Sequence, residues 1–165
     1  MGEAYGLEIK LEVKAEVGEV ATLIVTFTFP VTAGAFQTVL GGSGLTDAWI
    51  LKLNAAGNTV IYSTLFGQAF SDYAAGIDVD NLGEVYLSGK CNGAVYTTAG
   101  AFQTSYGGGP WDGFVAKFNA TLSSVLYSTL FGSNQHEVPI AISADQNHDI
   151  YIAGFEQGGA MPTVP

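Results

Sequence analysis

Arginine is absent from this 165-residue chain, and lysine occurs only five times. Against 15 aspartates and glutamates, that leaves a formal charge of -10. Nucleic-acid binding needs clustered cations facing phosphates, so the charge balance argues against it. It argues equally against anionic membrane surfaces. Cysteine is almost missing: Cys91 stands alone, which allows neither an intrachain disulfide nor a cysteine metal cluster. No apolar run approaches the ~18 residues that span a bilayer, so no membrane insertion is expected. The start, Met1-Gly-Glu-Ala-Tyr5, lacks the basic start and apolar stretch of a signal peptide, which leaves open a cytosolic chain or a processed product. No GxSxG, GxxxxGK or HExxH string occurs, and nothing in the sequence calls for a cofactor. Charged residues are scarce at 12%, yet apolar residues reach 48%, a balance that excludes disorder. Sustained helical periodicity is also missing, which points to an all-β chain.

What is present is repetition. Thr32-Ala-Gly-Ala-Phe-Gln-Thr38 returns unchanged as Thr98-Ala-Gly-Ala-Phe-Gln-Thr104. Asp47-Ala-Trp-Ile-Leu-Lys-Leu-Asn54 answers Asp112-Gly-Phe-Val-Ala-Lys-Phe-Asn119, and Tyr62-Ser-Thr-Leu-Phe-Gly67 recurs as Tyr127-Ser-Thr-Leu-Phe-Gly132. Glu84-Val-Tyr-Leu-Ser-Gly89 answers Asp149-Ile-Tyr-Ile-Ala-Gly154. The offset is 66 residues for the first phrase and 65 for the others. Each copy holds four short strand candidates: Ala48–Leu53, Thr59–Leu65, Ala74–Val79 and Glu84–Ser88, then Gly113–Phe118, Ser124–Leu130, Pro139–Ala144 and Asp149–Ala153. Turn residues separate them. The chain divides into residues 1–30, a first unit at 31–97, and a second at 98–165 that includes the start of a third.

Residues 1–30 read differently. The apolar positions Leu7, Ile9, Leu11, Val13, Ala15 and Val17 alternate with Glu8, Lys10, Glu12, Lys14 and Glu16, the period of a half-buried strand. Leu23, Val25, Phe27 and Phe29 share one face of a second strand. A β-hairpin is expected, with these residues as an assembly surface, because an isolated hairpin is only marginally stable in water.

The ordered phrases, from Thr-Ala-Gly-Ala-Phe-Gln-Thr through Asp-Ala-Trp-Ile-Leu-Lys-Leu-Asn and Tyr-Ser-Thr-Leu-Phe-Gly to Gly76-Ile-Asp-Val-Asp-Asn-Leu-Gly-Glu-Val-Tyr-Leu-Ser-Gly89, resemble the SBBP-type β-propeller repeat over residues 31–165. The resemblance implies one four-stranded blade per copy and an extracellular or cell-surface setting. It implies no shared catalytic residues. Propellers close with about 4–8 blades, and two copies fall short. The resulting expectation is a non-catalytic structural or adhesive module that self-associates into a ring or fibre through apolar strand faces and edges. A larger β-repeat assembly would serve the same end.

Other functions hang on particular residues. Tyr73, Tyr96, Tyr106 and Trp111 lie in or beside loops and suit stacking on a glycan, which makes a carbohydrate-binding fragment the second reading. A hydrolase or lyase site on the loops is the third, with Asp72 and Asp78 as the carboxylates to test. Asp78 and Asp80 are weak metal candidates, since Leu82 falls where a calcium loop needs an acceptor. The simpler reading is a turn in which Asp80 and Asp145 bind turn amides. Asp47 and Asp112, and likewise Lys52 and Lys117, occupy matched positions, which favours structural roles. His136 is expected in a loop and His148 in a turn, both solvated and without ligand partners.

Overall fold

The structure, a computed structural model, describes residues 10–14, 22–26, 29–42 and 46–158. Among these residues there is no helix and there are ten strands, all paired antiparallel. β1 (Lys10–Lys14) pairs with β2 (Thr22–Thr26), with Leu11 opposite Val25 and Val13 opposite Leu23. Leu7, Ile9 and Phe27 lie outside the described residues. The remaining strands are β3 (Ala48–Leu53), β4 (Val60–Phe66), β5 (Asp72–Val79), β6 (Val85–Cys91), β7 (Asp112–Phe118), β8 (Val125–Phe131), β9 (His136–Ala144) and β10 (Ile150–Gln157). All eight strand candidates of the two copies are present, several a few residues longer than expected.

Their grouping differs from one four-stranded unit per copy. The one four-stranded sheet runs β5-β6-β7-β8, joining the second half of the first copy to the first half of the second. β3-β4 and β9-β10 form separate two-stranded sheets. The reason lies at the corner between β4 and β5. That link is short enough for a hairpin, but β4 and β5 do not pair. The Asp72 N–H then bonds the Thr46 carbonyl at 2.6 Å rather than a β4 carbonyl. β6 and β7, separated by a long connection, pair instead along their whole length, from Val85 opposite Phe118 to Cys91 opposite Asp112.

The core lies between β3-β4 and one face of the four-stranded sheet. Ile50 and Phe66 meet Leu87, Phe114, Phe118 and Leu130, all buried. The Phe66 ring lies 5.4 Å from Phe114 and 5.5 Å from Phe118, tilted or edge-on, as aromatic quadrupoles prefer. β9 crosses the opposite face. Gly76 lets it approach, since a Cβ there would sit 3.1 Å from the Ile142 nitrogen.

The repeated heptapeptide is not a strand but a lace along the outer edges of β4 and β8. Thr32 exchanges hydrogen bonds with Ser63, and Leu65 N–H donates to the Gln37 carbonyl at 3.1 Å. In the second copy Thr98 meets Ser128, and Leu130 N–H donates to the Gln103 carbonyl at 3.0 Å. The side-chain oxygens of Gln37 and Gln103 accept from Gly67 and Gly132 N–H.

Candidate functional site

Three groups of residues converge, the first two at matched positions of the repeat. The first is a row of buried acids at one end of the four-stranded sheet. Register places Asp72, Cys91 and Asp112 side by side on β5, β6 and β7. Asp47 from the start of β3 flanks one end of the row and Glu137 from β9 the other, and all five are buried. A Cβ on Gly67 would lie 2.6 Å from both Asp47 Cγ and Asp72 Oδ2, so the corner admits only glycine. Each carboxylate has one oxygen that protein donors reach: Gly41 N–H to Asp47, Gln68 N–H to Asp72, Gly107 N–H to Asp112 and Ser133 Oγ–H to Glu137. The other oxygen of each is buried with no hydrogen-bond partner among the described residues.

Burial therefore dominates their titration. It lifts Asp72 to about 7, partly offset by the Gln68 amide and reinforced by the charge of Asp47. It lifts Asp112 to about 6, with the Gly107 amide opposing and Glu137 adding. The Cys91 thiol, between them, is pushed up to about 12 by burial, with the Gly93 amide opposing. A thiol in that state is not a nucleophile. Asp72 itself is 1% exposed, at the floor of a groove that Asp47 also lines.

The second group joins two turns. Asp80 Oδ1 accepts from the Leu82 and Glu84 amides, and Asp145 Oδ1 from those of Asn147 and Asp149, the turn geometry expected for both. Asp80 Oδ2 also takes the Tyr86 hydroxyl at 3.1 Å and lies 3.0 Å from His148 Nδ1. Lys117 lies 2.5 Å from Glu84 and covers the Tyr86 ring at 4.9 Å. Burial works to raise Asp80, but the Glu84 amide, the Tyr86 hydroxyl and Lys117 together hold it below the usual range. His148 occupies the place of Gly83 in the first copy and adopts the same left-handed backbone, φ 68° against 79°. Such a backbone is uncommon outside glycine. The imidazole is exposed as expected, but it does have a partner.

Asp80, Glu84 and His148 offer ligand atoms within 4.8 Å of one another. Lys117 supplies positive charge in their midst, and a divalent ion would have to displace it. Asp78 is engaged elsewhere: its carboxylate accepts the Ala144 amide at 2.8 Å, tying β9 to β5, and that bond holds it below its ordinary range.

The third group is aromatic. Of the four proposed stacking residues, Tyr73 and Trp111 come together, edge to face at 5.4 Å. Lys90 lies 4.5 Å over the Trp111 ring and 5.6 Å over Tyr73. Tyr96 lies apart, against Phe36 at 5.3 Å, and Tyr106 donates its hydroxyl to the Gly109 carbonyl. His136 begins β9 rather than lying in a loop, and its ring packs edge-on to Phe155. Of the proposed hairpin surface, Phe29 is half-buried, and its ring lies 5.1 Å from Trp49.

Open edges and apolar faces are the remaining feature. Among the described residues, β3 pairs only with β4 and β10 only with β9. Trp49, Leu53, Ile61, Tyr151, Ile152 and Phe155 are large, apolar and exposed on these two sheets. No helix is long and apolar enough to cross a membrane. No family model matches the chain, and no curated protein matches it.

Proposed function

We propose that this chain is a non-catalytic structural or adhesive β-repeat module, working by association with copies of itself. On this reading its sheets are blades, or halves of blades, of a propeller-type stack akin to the SBBP repeat, in an extracellular or cell-surface setting. One observation carries the proposal. At several matched positions the residue is buried in the four-stranded sheet but exposed in a two-stranded one: Phe114 is 0% exposed against 55% for Trp49, and Tyr86 0% against 64% for Tyr151. Burying each such side chain contributes ~1.5–3 kcal/mol. Exposed apolar patches of this kind mark interaction surfaces.

Analytical ultracentrifugation at micromolar concentration tests the reading. A particle of several chains is expected; about three or four copies would give six or eight sheets in a ring. A sharp single species at 17.2 kDa would refute it. A glycan-binding role draws support from the Tyr73–Trp111 pair alone. It requires a sugar to displace Lys90 from the Trp111 face, and saccharide binding lost in Trp111→Ala would establish it.

A further inference from the structure

We infer that β10, whose second edge has no strand neighbour among the described residues, receives β3 of a second copy, in the register that β6 and β7 already use within one chain. This rests on the self-association proposed above and specifies its contact. The chain contains its own template. β9-β10 repeats β5-β6, and β3-β4 repeats β7-β8, at an offset of 65 residues. The β6–β7 pairing sets Tyr86 opposite Lys117, Leu87 opposite Ala116, and Gly89 opposite Phe114. Shifted by the repeat, it sets Tyr151 opposite Lys52, Ile152 opposite Leu51, and Gly154 opposite Trp49 of the next copy. The product is a four-stranded sheet, β9-β10 followed by the second copy's β3-β4.

Three independent features fit this occupant. The first is shape. Inside the chain, Phe66 and Phe36 receive Phe114 and Phe118 of the following sheet, with Phe36–Phe118 ring centroids at 6.0 Å. Their repeat counterparts, Phe131 and Phe102, line an open groove of about 480 Å³ with Tyr127 and Thr129. Trp49 and Leu53, the counterparts of Phe114 and Phe118, are the side chains that would enter it. A second groove, of about 590 Å³, runs along Trp49–Leu51 of β3 beside Tyr73–Ile77 of β5. That is where the incoming β10 would lie.

The second feature is charge. Lys117 pairs with Glu84 and covers the Tyr86 ring. Its counterpart Lys52 would meet Asp149 and Tyr151 of the other copy by the same geometry. Both Lys52 and Asp149 are exposed within the single chain. The third is the local packing at β3. Phe29 rests on Trp49, as Val95, 66 residues later, belongs to the same buried cluster as Phe114. Phe29 stands at the template's position beside Trp49, and among the described residues no strand pairs with the other edge of β3.

The contact is heterologous, because β10 and β3 are different surfaces. Two single variants, Ile152→Cys and Leu51→Cys, test it when mixed under mild oxidation. Facing strand positions bring Cβ atoms within reach of a disulfide. The native Cys91 is buried and does not compete. The mixture should yield a disulfide-linked dimer that neither variant forms alone. The mismatched mixture of Ile152→Cys with Ala56→Cys, in the exposed turn between β3 and β4, should not. Circular dichroism and the sedimentation profile establish that each variant keeps the parent fold and particle size. If the parent sediments as several chains but the matched and mismatched mixtures cross-link alike, or not at all, the strand register is wrong and self-association stands. If the parent sediments as one chain, this inference and the proposed function fall together.

Discussion

Asp72→Asn should stabilise the protein above neutral pH and leave it unchanged below about pH 4. Burial pushes the folded Asp72 carboxyl up to about 7, from its ordinary 3.8. A raised acid holds its proton more tightly when folded. Its contribution is therefore complete below about pH 4, falls as the pH climbs, and is lost above about 7. The difference of roughly three units corresponds to a loss on the order of 4 kcal/mol by pH 8. The structure makes asparagine a fair replacement. Its oxygen keeps the Gln68 amide now held by Asp72 Oδ2, and its NH₂ takes the place of the buried Oδ1, which has no partner among the described residues. Thermal melts in steps from pH 3.5 to 8.5, at fixed protein concentration, read the effect. Below about pH 4 the two proteins should melt together, and the gap should open steadily from there to pH 7. At pH 8 the variant should melt higher by about 10 °C, taking 2–4 °C per kcal/mol for a chain of this size. A shallower fall between about pH 4 and 6 should persist in both, from Asp112. A variant less stable than the parent at pH 8, or with an unchanged pH slope throughout, would refute the account of the buried acids.

Gly67→Ala should lower stability by several kcal/mol, since the new Cβ would meet Asp47 Cγ and Asp72 Oδ2 at 2.6 Å, with both residues buried and neither able to withdraw; urea unfolding measures it, and a midpoint shift too small to resolve would count against the corner as drawn. Tyr86→Phe should cost about 1–2 kcal/mol by removing a buried hydroxyl from Asp80. Tyr151→Phe, its exposed repeat counterpart, should leave the melting temperature of the isolated chain within error.

The positions of the strands were legible in the sequence because each is a short apolar phrase bounded by turn residues, and the phrases occur twice. The grouping into sheets was not. A repeat fixes a period but not where the unit begins, and a strand such as β6 has neighbours in the chain on either side. The five residues from Gly67 to Ser71 look like a hairpin loop. Only the side chains of Asp47 and Asp72 around Gly67 show that the chain leaves the sheet there. The buried acid row was half legible. Asp47 and Asp112 matched by position, and so do Asp72 and Glu137, an acid at each copy's equivalent place. What the sequence does not carry is that β5, β6 and β7 lie side by side, which brings Asp72, Cys91 and Asp112 into one line. His148 shows another limit. As a histidine it reads as solvated, but its offset from Gly83 places it in a glycine backbone, and that match was a signal available before the structure.

The heptapeptide lace has a consequence for how such a molecule avoids sticking to everything. A sheet edge is a row of bare amides and carbonyls that will template any extended chain. Thr32 to Gln37 and Thr98 to Gln103 occupy those groups along β4 and β8 with hydrogen bonds from the same chain. Sideways accretion on that flank is thereby blocked. Because the guard is encoded in the repeat itself, each added unit arrives with its own protection, and lengthening such a chain multiplies its sheets without adding a single unprotected flank on that side.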